Sequence, residues 1–512
     1  MKPALPRGAG LLAALALGAI SVFGFAPFHL AALPVLTVAL LFVLWEQSPG
    51  PRAAAALGFA YGLGSFTAGT SWIYISLHTF GGMPAELTAV ATLLFCAVVA
   101  CYPAFAGWLS LRAVPKGAYG ERSALRLLAA MPACWTIAEI LRAYLFTGFP
   151  WLELGYSQIP YGPLAGYASL LGSHGVTLAA AACAGAAGLA IERLPARSPR
   201  PVALPLAMIA FVVAMGAGLT IPAWTAPFGA PLKVALLQGN VAQERKFSPD
   251  TLPVIFDQYR AMIESSEARL IILPETAFPT FLHRIDDGYL AALTATAKHN
   301  GGDILFGVAI ADPIARAYFN SVVSVGVSPP QTYRKYHLVP FGEYLPLRPL
   351  FAWVLDVLQI PMADFTPGPG NPLPMAVAGQ QLALGICYED AFGALMLRQL
   401  PAATLLVNVS NDAWFGESVA AEQHWQIAQM RAAETGRMML RANNTGITGI
   451  IDFDGRTVSR LAPFVVGTVT GEVQGRSGST PYARWGESAI VVLSLLMAAG
   501  AAILCRRSNG RG

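Results

Sequence analysis

Long apolar stretches dominate both ends of the chain, and a region of mixed polarity separates them. Runs near 9–27, 30–45, 54–76, 86–111, 125–143, 163–191, 202–221 and 487–505 carry few charges. Each approaches the roughly 20 apolar residues that a helix needs to cross the hydrocarbon core of a bilayer. The pattern predicts a polytopic α-helical membrane domain of about eight transmembrane helices, seven within residues 1–222 and an eighth over 487–505. Residues 232–474 have ordinary soluble composition and hold most of the acidic side chains. Short aliphatic runs there, KVALLQG (233–239), RLIILPE (269–275), DILFGVAI (303–310), FNSVVSVG (319–326), LALGICY (382–388), TLLVNVS (404–410) and ITGIIDF (447–453), predict strands. Helix-like segments at 250–266, 286–299 and 420–442 alternate with them, which points to an α/β layered domain. The strand runs lack strict polar alternation, as expected of sheets covered on both faces.

Composition sharpens the membrane reading. The chain has 512 residues, of which 55% are hydrophobic and 12% charged, with mean hydropathy +0.53. Soluble domains carry about 25% charged residues. The net charge is only +4, and no Lys/Arg run with interleaved aromatics suggests nucleic acid as a partner. The positive residues matter by position. Lys2, Arg7, Arg52, Arg112, Lys116, Arg122, Arg126, Arg193, Arg197, Arg200, Arg506, Arg507 and Arg511 fall at one set of helix ends. The opposite short loops, 28–30, 77–85 and 144–162, carry no Lys or Arg. This bias predicts cytoplasmic termini and places the 232–474 domain on the outer side. Seven further spans and no clear small-residue cleavage site argue against a cleaved signal peptide over 1–27.

The candidate chemistry lies in the mixed-polarity region. Of six cysteines, five sit in apolar segments, and only Cys387 does not. There is no CxxC pair and no Cys/His cluster at zinc spacing, so no metal site of that kind is expected. Three apolar runs end near reactive groups: Glu275 in ILPETAFP, Lys335 in TYRKYHLVPFGEYLP and Cys387 in LGICYEDAFG. A cysteine thiol has a pKa near 8.5 and needs a base or a nearby charge to act as a nucleophile. A carboxylate can take its proton, and an ammonium can stabilise the oxyanion of an acyl intermediate. The backbone N–H of Tyr388 is a candidate second oxyanion donor.

These three motifs resemble the signatures of the nitrilase superfamily, whose Glu-Lys-Cys triad sits on an αββα sandwich. The resemblance implies Glu275 as general base, Lys335 as oxyanion-stabilising cation and Cys387 as acylated nucleophile, with Glu343 as the additional glutamate near the lysine. The flanking helices narrow it. FGFAPF (23–28), FPWLELGYSQ (149–158) and LLQGNVAQERKF (236–247) resemble the apolipoprotein N-acyltransferase family of the bacterial cytoplasmic membrane. Tyr388 and Glu389 fit the family's Tyr-Glu pair after the cysteine, and Phe247 stands where some members carry tryptophan. The resemblance implies a monomeric, membrane-embedded enzyme without cofactor or metal. It would pass an acyl chain from a phospholipid to a diacylglyceryl lipoprotein by a ping-pong route. Two rivals remain: a membrane-tethered amidase acting on a small amide, and a transporter with a regulatory soluble domain.

Several features stay open in the sequence. The apolar segment 345–363, broken by Pro346, Pro349 and Pro361, is either a core helix or an interfacial arm at the acyl entrance. The aromatic loop 144–162, with Trp151, Tyr156 and Glu153, is an interfacial belt or a support for a lipid-facing site. Glu139 and Arg142 form a structural pair or meet a headgroup, and Trp414 and Phe415 contact lipid or core. Asn408, Ser410, Asn411 and Asp412 are structural hydrogen-bonders or position substrate, and His337 and His424 show no ligand spacing.

Overall fold

The structure, a computed structural model, describes residues 7–116, 122–194, 200–346 and 364–509. The expected arm over 345–363 lies, from residue 347 onward, outside the described residues. The chain divides into two compact units. One comprises residues 1–71, 89–222 and 484–512, and the other comprises residues 72–88 and 223–483.

The first unit is helical. Among the described residues four helices are long and apolar enough to cross a membrane: Ala85–Ala113, Ser123–Thr147, Tyr167–Arg193 and Ser488–Arg507. Shorter apolar helices span Gly8–Gly24, Ala32–Gln47 and Val202–Gly218. The helix Tyr167–Arg193 is mostly buried, and its alanine-rich surface lets neighbours approach closely. The outer helices turn large apolar residues such as Leu12, Leu94, Phe211 and Leu496 outward. In water such exposure is costly, whereas in lipid it is not. The helices Arg7–Ser21 and Pro51–Gly69 cross on glycines. A Cβ on Gly18 would lie 1.9 Å from the Tyr61 carbonyl oxygen, and one on Gly64 would lie 2.0 Å from that of Leu15. The expected span at 54–76 stops at Gly69, where the Thr70 backbone leaves the helical conformation at φ −125°, ψ 24°.

The middle of the loop 144–162 is tied to this unit, while Tyr144, Phe146 and Tyr161 toward its ends are exposed. Trp151 and Tyr156 are buried. Arg142 donates to the carbonyls of Phe149 and Trp151 at 2.8 and 2.5 Å. Glu139 accepts from the Leu154 N–H at 3.0 Å and from the Thr177 hydroxyl at 2.8 Å, and lies 3.7 Å from Arg142. Both members of the pair are therefore committed to holding the loop, the structural alternative of the two readings. His174 lies between Glu153 at 3.3 Å and Glu487 at 2.8 Å, fastening the same loop to a second point.

The second unit contains two sheets. Strands β1 (Thr225–Gln238), β2 (Leu270–Ile272), β3 (Phe278–Phe281), β4 (Asp303–Asp312), β5 (Ala317–Gly326) and β6 (Thr332–Arg334) precede β7 (Met375–Val377) and β8 (Gln380–Ile386). They are followed by β9 (Leu405–Ser410), β10 (Met439–Asn443), β11 (Gly449–Ile451), β12 (Thr457–Arg460) and β13 (Gly467–Gly478). One sheet has the order β13-β1-β2-β4-β5-β6, with β3 paired to β4, and the other has the order β12-β11-β10-β9-β8-β7. Alternate residues explain the layering. Val234 and Leu236 of β1 meet Leu384, Leu405 and Val407 of the other sheet in a core between the sheets. Ala235 and Leu237 face the opposite way, toward Ile255, Tyr259 and Leu293 of the helices Leu252–Glu264 and Asp287–His299. On the far side Ala383, Leu406 and Met439 pack on Trp425, Ala428 and Ala432 of the helix Ala420–Thr435. The result is the expected αββα sandwich.

The helix expected over 420–442 is two elements. It ends at Thr435 because Gly436 takes the left-handed conformation, φ 63°. The chain then returns as the buried strand β10. Its MLRAN sequence mixes apolar and polar residues as the helix does, so the two look alike by composition. Trp414 and Phe415 are half-buried against the 72–80 segment of the same unit: Ser76 donates to the Trp414 carbonyl at 2.7 Å, and Phe415 lies 4.5 Å from Trp72.

Truncating the core between the sheets should loosen the whole sandwich. Leu384→Ala is expected to cost about 2–5 kcal/mol, read as a lower unfolding temperature of the full chain.

Candidate active site

Three strands end at one place. β2 runs into Glu275, β6 into Lys335 and β8 into Cys387. Glu275 reaches its position through a close backbone crossing at Gly307 of β4. The Gly307 N–H donates to the Pro274 carbonyl at 3.2 Å, and a Cβ there would sit 2.5 Å from the Thr276 nitrogen and 2.7 Å from the Glu275 Cα. Lys335 is anchored by its own N–H to the Asn320 carbonyl at 2.8 Å. Cys387 has φ 54°, unusual for a side chain larger than hydrogen, and opens a short 3₁₀ turn, Cys387–Ala391. Two bonds hold that turn. The Ile386 N–H donates to the Glu389 carboxylate at 2.8 Å, and the Asn408 amide donates to the Cys387 carbonyl at 2.9 Å.

The side chains meet in a buried site. The Lys335 ammonium lies 2.8 Å from Glu343 and 3.6 Å from Glu275. Asn320 bridges the two carboxylates, donating to Glu275 at 2.7 Å and to Glu343 at 2.9 Å. Glu343 also accepts from the Val339 N–H at 2.9 Å. Burial opposes the charge on Lys335, but Glu343 and Glu275 outweigh it and raise its pKa. The lysine is thus a permanent cation. Burial pushes the Cys387 thiol up, the Glu275 charge adds to this, and the pull of Lys335 does not reverse it. The resting cysteine is therefore a thiol. A nucleophile in that state needs a base at the moment of attack.

Glu389 does not point at this chemistry. It is fully buried and accepts from the Tyr333 hydroxyl at 2.9 Å, the Tyr336 N–H at 2.8 Å and the His337 N–H at 3.0 Å, besides Ile386. It thereby fastens the segment that carries Lys335 to the turn that carries Cys387. Tyr388 is half-buried, its ring edge-on to Phe392 at 5.0 Å.

Beneath the cysteine turn lies a charged network that sequence reasoning missed. Arg441 of β10 donates to Asp390 at 2.7 Å, to the Asn408 side chain at 2.8 Å and to Asp412 at 3.3 Å. His424 bridges Asp390 at 2.8 Å and Asp412 at 3.0 Å. Burial and Arg441 disfavour the imidazolium, yet Asp390 and Asp412 prevail and raise its pKa to about 9. Two cations and two carboxylates compensate one another, as buried charges must. Asn320 and Arg441 were also missed, although each interrupts an apolar strand, FNSVV and MLRAN, with a polar group. Asn408, Ser410, Asn411 and Asp412 are hydrogen-bonded as expected.

Comparison with known proteins assigns both halves. Residues 17–186 match the apolipoprotein N-acyltransferase N-terminal domain, and residues 233–482 match the carbon-nitrogen hydrolase family. An apolipoprotein N-acyltransferase of Nitrosomonas europaea is 46% identical over 492 residues, covering 96% of each chain. One of Methylococcus capsulatus is 44% identical over 93% of this chain and 92% of that one. One of Pseudomonas aeruginosa is 38% identical over 94% and 93%. The chain belongs to the apolipoprotein N-acyltransferase family. As a member of that family it is a bacterial membrane acyltransferase built on a carbon-nitrogen hydrolase domain.

Two outcomes follow from the geometry. Gly307→Ala forces the Glu275 backbone to move, and activity is expected to fall at least about tenfold, the equivalent of ~1.4 kcal/mol in the barrier, with a lower unfolding temperature as well, since overpacking a core costs about 1–3 kcal/mol. His424 carries a raised pKa in the folded state, so its ion pairs stabilise fully below about pH 6.5, its unfolded value. That contribution is lost as pH rises to about 9. Between those limits the unfolding temperature of the native protein should drop more than that of His424→Gln.

Proposed function

We propose that the chain transfers an acyl chain from a membrane phospholipid to the N-terminal amine of a diacylglyceryl-cysteine lipoprotein, through a thioester on Cys387. The observation that carries the reading is the meeting of a carboxylate, a permanent ammonium and a neutral thiol in one buried site. The names of the relatives supply the acceptor class.

In the first half-reaction Glu275 takes the thiol proton as the Cys387 sulfur attacks the ester carbonyl carbon. Proton transfer from cysteine to glutamate leaves the net charge of the buried site unchanged, which spares it the cost of creating charge away from water. The Lys335 ammonium and the Tyr388 N–H hold the oxyanion. The intermediate then collapses, the glycerol oxygen leaves with the proton from Glu275, and lysophospholipid departs. In the second half-reaction a neutral amine attacks the thioester carbonyl and gives its proton to Glu275. The thiolate leaves and regains that proton. Glu343 keeps Lys335 in place, and Glu389 keeps the lysine and cysteine segments in register. Water must be kept from the thioester, since hydrolysis would make the enzyme a phospholipase.

Both substrates are anchored in lipid, which fits seven spans within 1–222 and an eighth over 487–505. The Lys/Arg bias of the loops supports cytoplasmic termini and a 232–474 catalytic domain on the outer side. The rival reading is an amidase acting on a small soluble amide.

Incubation with phospholipid and no acceptor should add the mass of one acyl group to Cys387. A peptide with a diacylglyceryl-cysteine N-terminus should then discharge it. Cys387→Ser and Glu275→Gln should form no thioester adduct while remaining folded. Turnover of small amides without any acyl adduct would overturn the transferase reading in favour of the amidase.

A further inference from the structure

Lys246 is a buried cation that the proposed mechanism does not use. It is 2% exposed and lies in the loop after β1. Its ammonium donates to the backbone carbonyl of Glu275 at 3.3 Å. Burial lowers its pKa to about 8 against the opposing pull of the Glu275 charge, so it is a cation at neutral pH and below.

The loop that carries it is held by a relay of buried amides. The Asn411 amide donates to Gln243 at 2.9 Å, and the Asn444 amide donates to Asn411 at 2.9 Å and to the Val241 carbonyl at 2.8 Å. The Val241 N–H returns to Asn444 at 2.9 Å. The relay runs from β1 to the segments that follow β9 and β10 of the other sheet. A desolvated lysine costs stability unless it is compensated. Here a rigid support holds that costly group against the residue proposed as the base.

We propose that Lys246 is a positioning residue for the acyl transfer: its ammonium grips the Glu275 carbonyl and biases the adjacent carboxyl toward the carboxylate that accepts the proton. The groups facing Glu275 define what this bias acts against. Lys335 is the other cation, Asn320 links Glu275 to Glu343, and the neutral Cys387 thiol completes the set. Glu343 is matched to Lys335 by the shorter contact, which leaves Lys246 to offset the second carboxylate. Removing its charge makes protonation of the base easier, so the loss of activity is largest in acid.

This inference rests on the proposed thioester chemistry, and the test separates the two. The rate of acyl-adduct formation on Cys387 is followed from about pH 5.5, where Lys246 is charged, to about pH 8, where it begins to lose its proton, for the native chain, Lys246→Met, Lys246→Gln and Lys246→Arg. Lys246→Met is expected to fall below the native rate by a factor that grows as the pH falls, toward about tenfold for one unit of displaced titration, and to recover to within about threefold near pH 8. Lys246→Gln keeps a donor for the carbonyl without the charge and should behave likewise, and it decides the matter if the Met variant does not fold. Lys246→Arg should follow the native profile. A loss of equal size at every pH, or no loss, would overturn the proposal. If Cys387→Ser still transferred acyl groups, the thioester reading itself would fall, whatever the lysine variants did.

Discussion

One buried ammonium, that of Lys335, governs the arrangement of the site. It is nearly inaccessible to water, and it persists as a cation because Glu343 and Glu275 both face it. Burial first, and then the Glu275 charge, raise the Cys387 thiol, and the pull of Lys335 does not reverse this, so the thiol stays protonated at rest. In the proposed mechanism each proton passes through Glu275, from the cysteine or the amine to the departing glycerol oxygen or thiolate, and the charge of the site is the same before and after each half-reaction.

The sandwich makes this balance rigid. Each of the three groups hangs from the end of a strand whose other residues are locked into the core between the sheets or the covering helices. Gly307 lets the Glu275 backbone pass close to β4, and Glu389 ties the lysine and cysteine segments together with four accepted hydrogen bonds. The Arg441, His424, Asp390 and Asp412 network supports the cysteine turn from below through Asn408. The helical unit follows a different rule. It packs through glycine and alanine, and its loop 144–162 is fixed by Glu139, Arg142 and His174 rather than left to the interface.

Much of this is legible in the sequence because reactive residues close short apolar runs. ILPE, TYRK and GICYE announce strand ends, and three such ends suffice to suggest a shared site. The apolar spans are legible for a simpler reason, since lipid rewards uninterrupted hydrophobicity. What was missed is long-range. The strand β10 hides behind the helix Ala420–Thr435, because only the short link 436–438, turned by Gly436, separates two stretches of mixed polarity. Asn320, Arg441 and Lys246 each look like isolated polar residues along the chain, and their partners lie 45, 51 and 29 residues away. Trp151 and Tyr156 read as interfacial aromatics, but their burial depends on contacts that composition does not encode.

The charge balance at Cys387 can be tested without any substrate. The ultraviolet absorbance of the thiolate is followed against pH as a difference between the native protein and Cys387→Ser. The account predicts no thiolate signal at neutral pH, with the thiol ionising only at strongly alkaline pH. A thiolate already present at pH 7 would show that Lys335 pairs with the sulfur rather than with its two carboxylates, and would contradict the account.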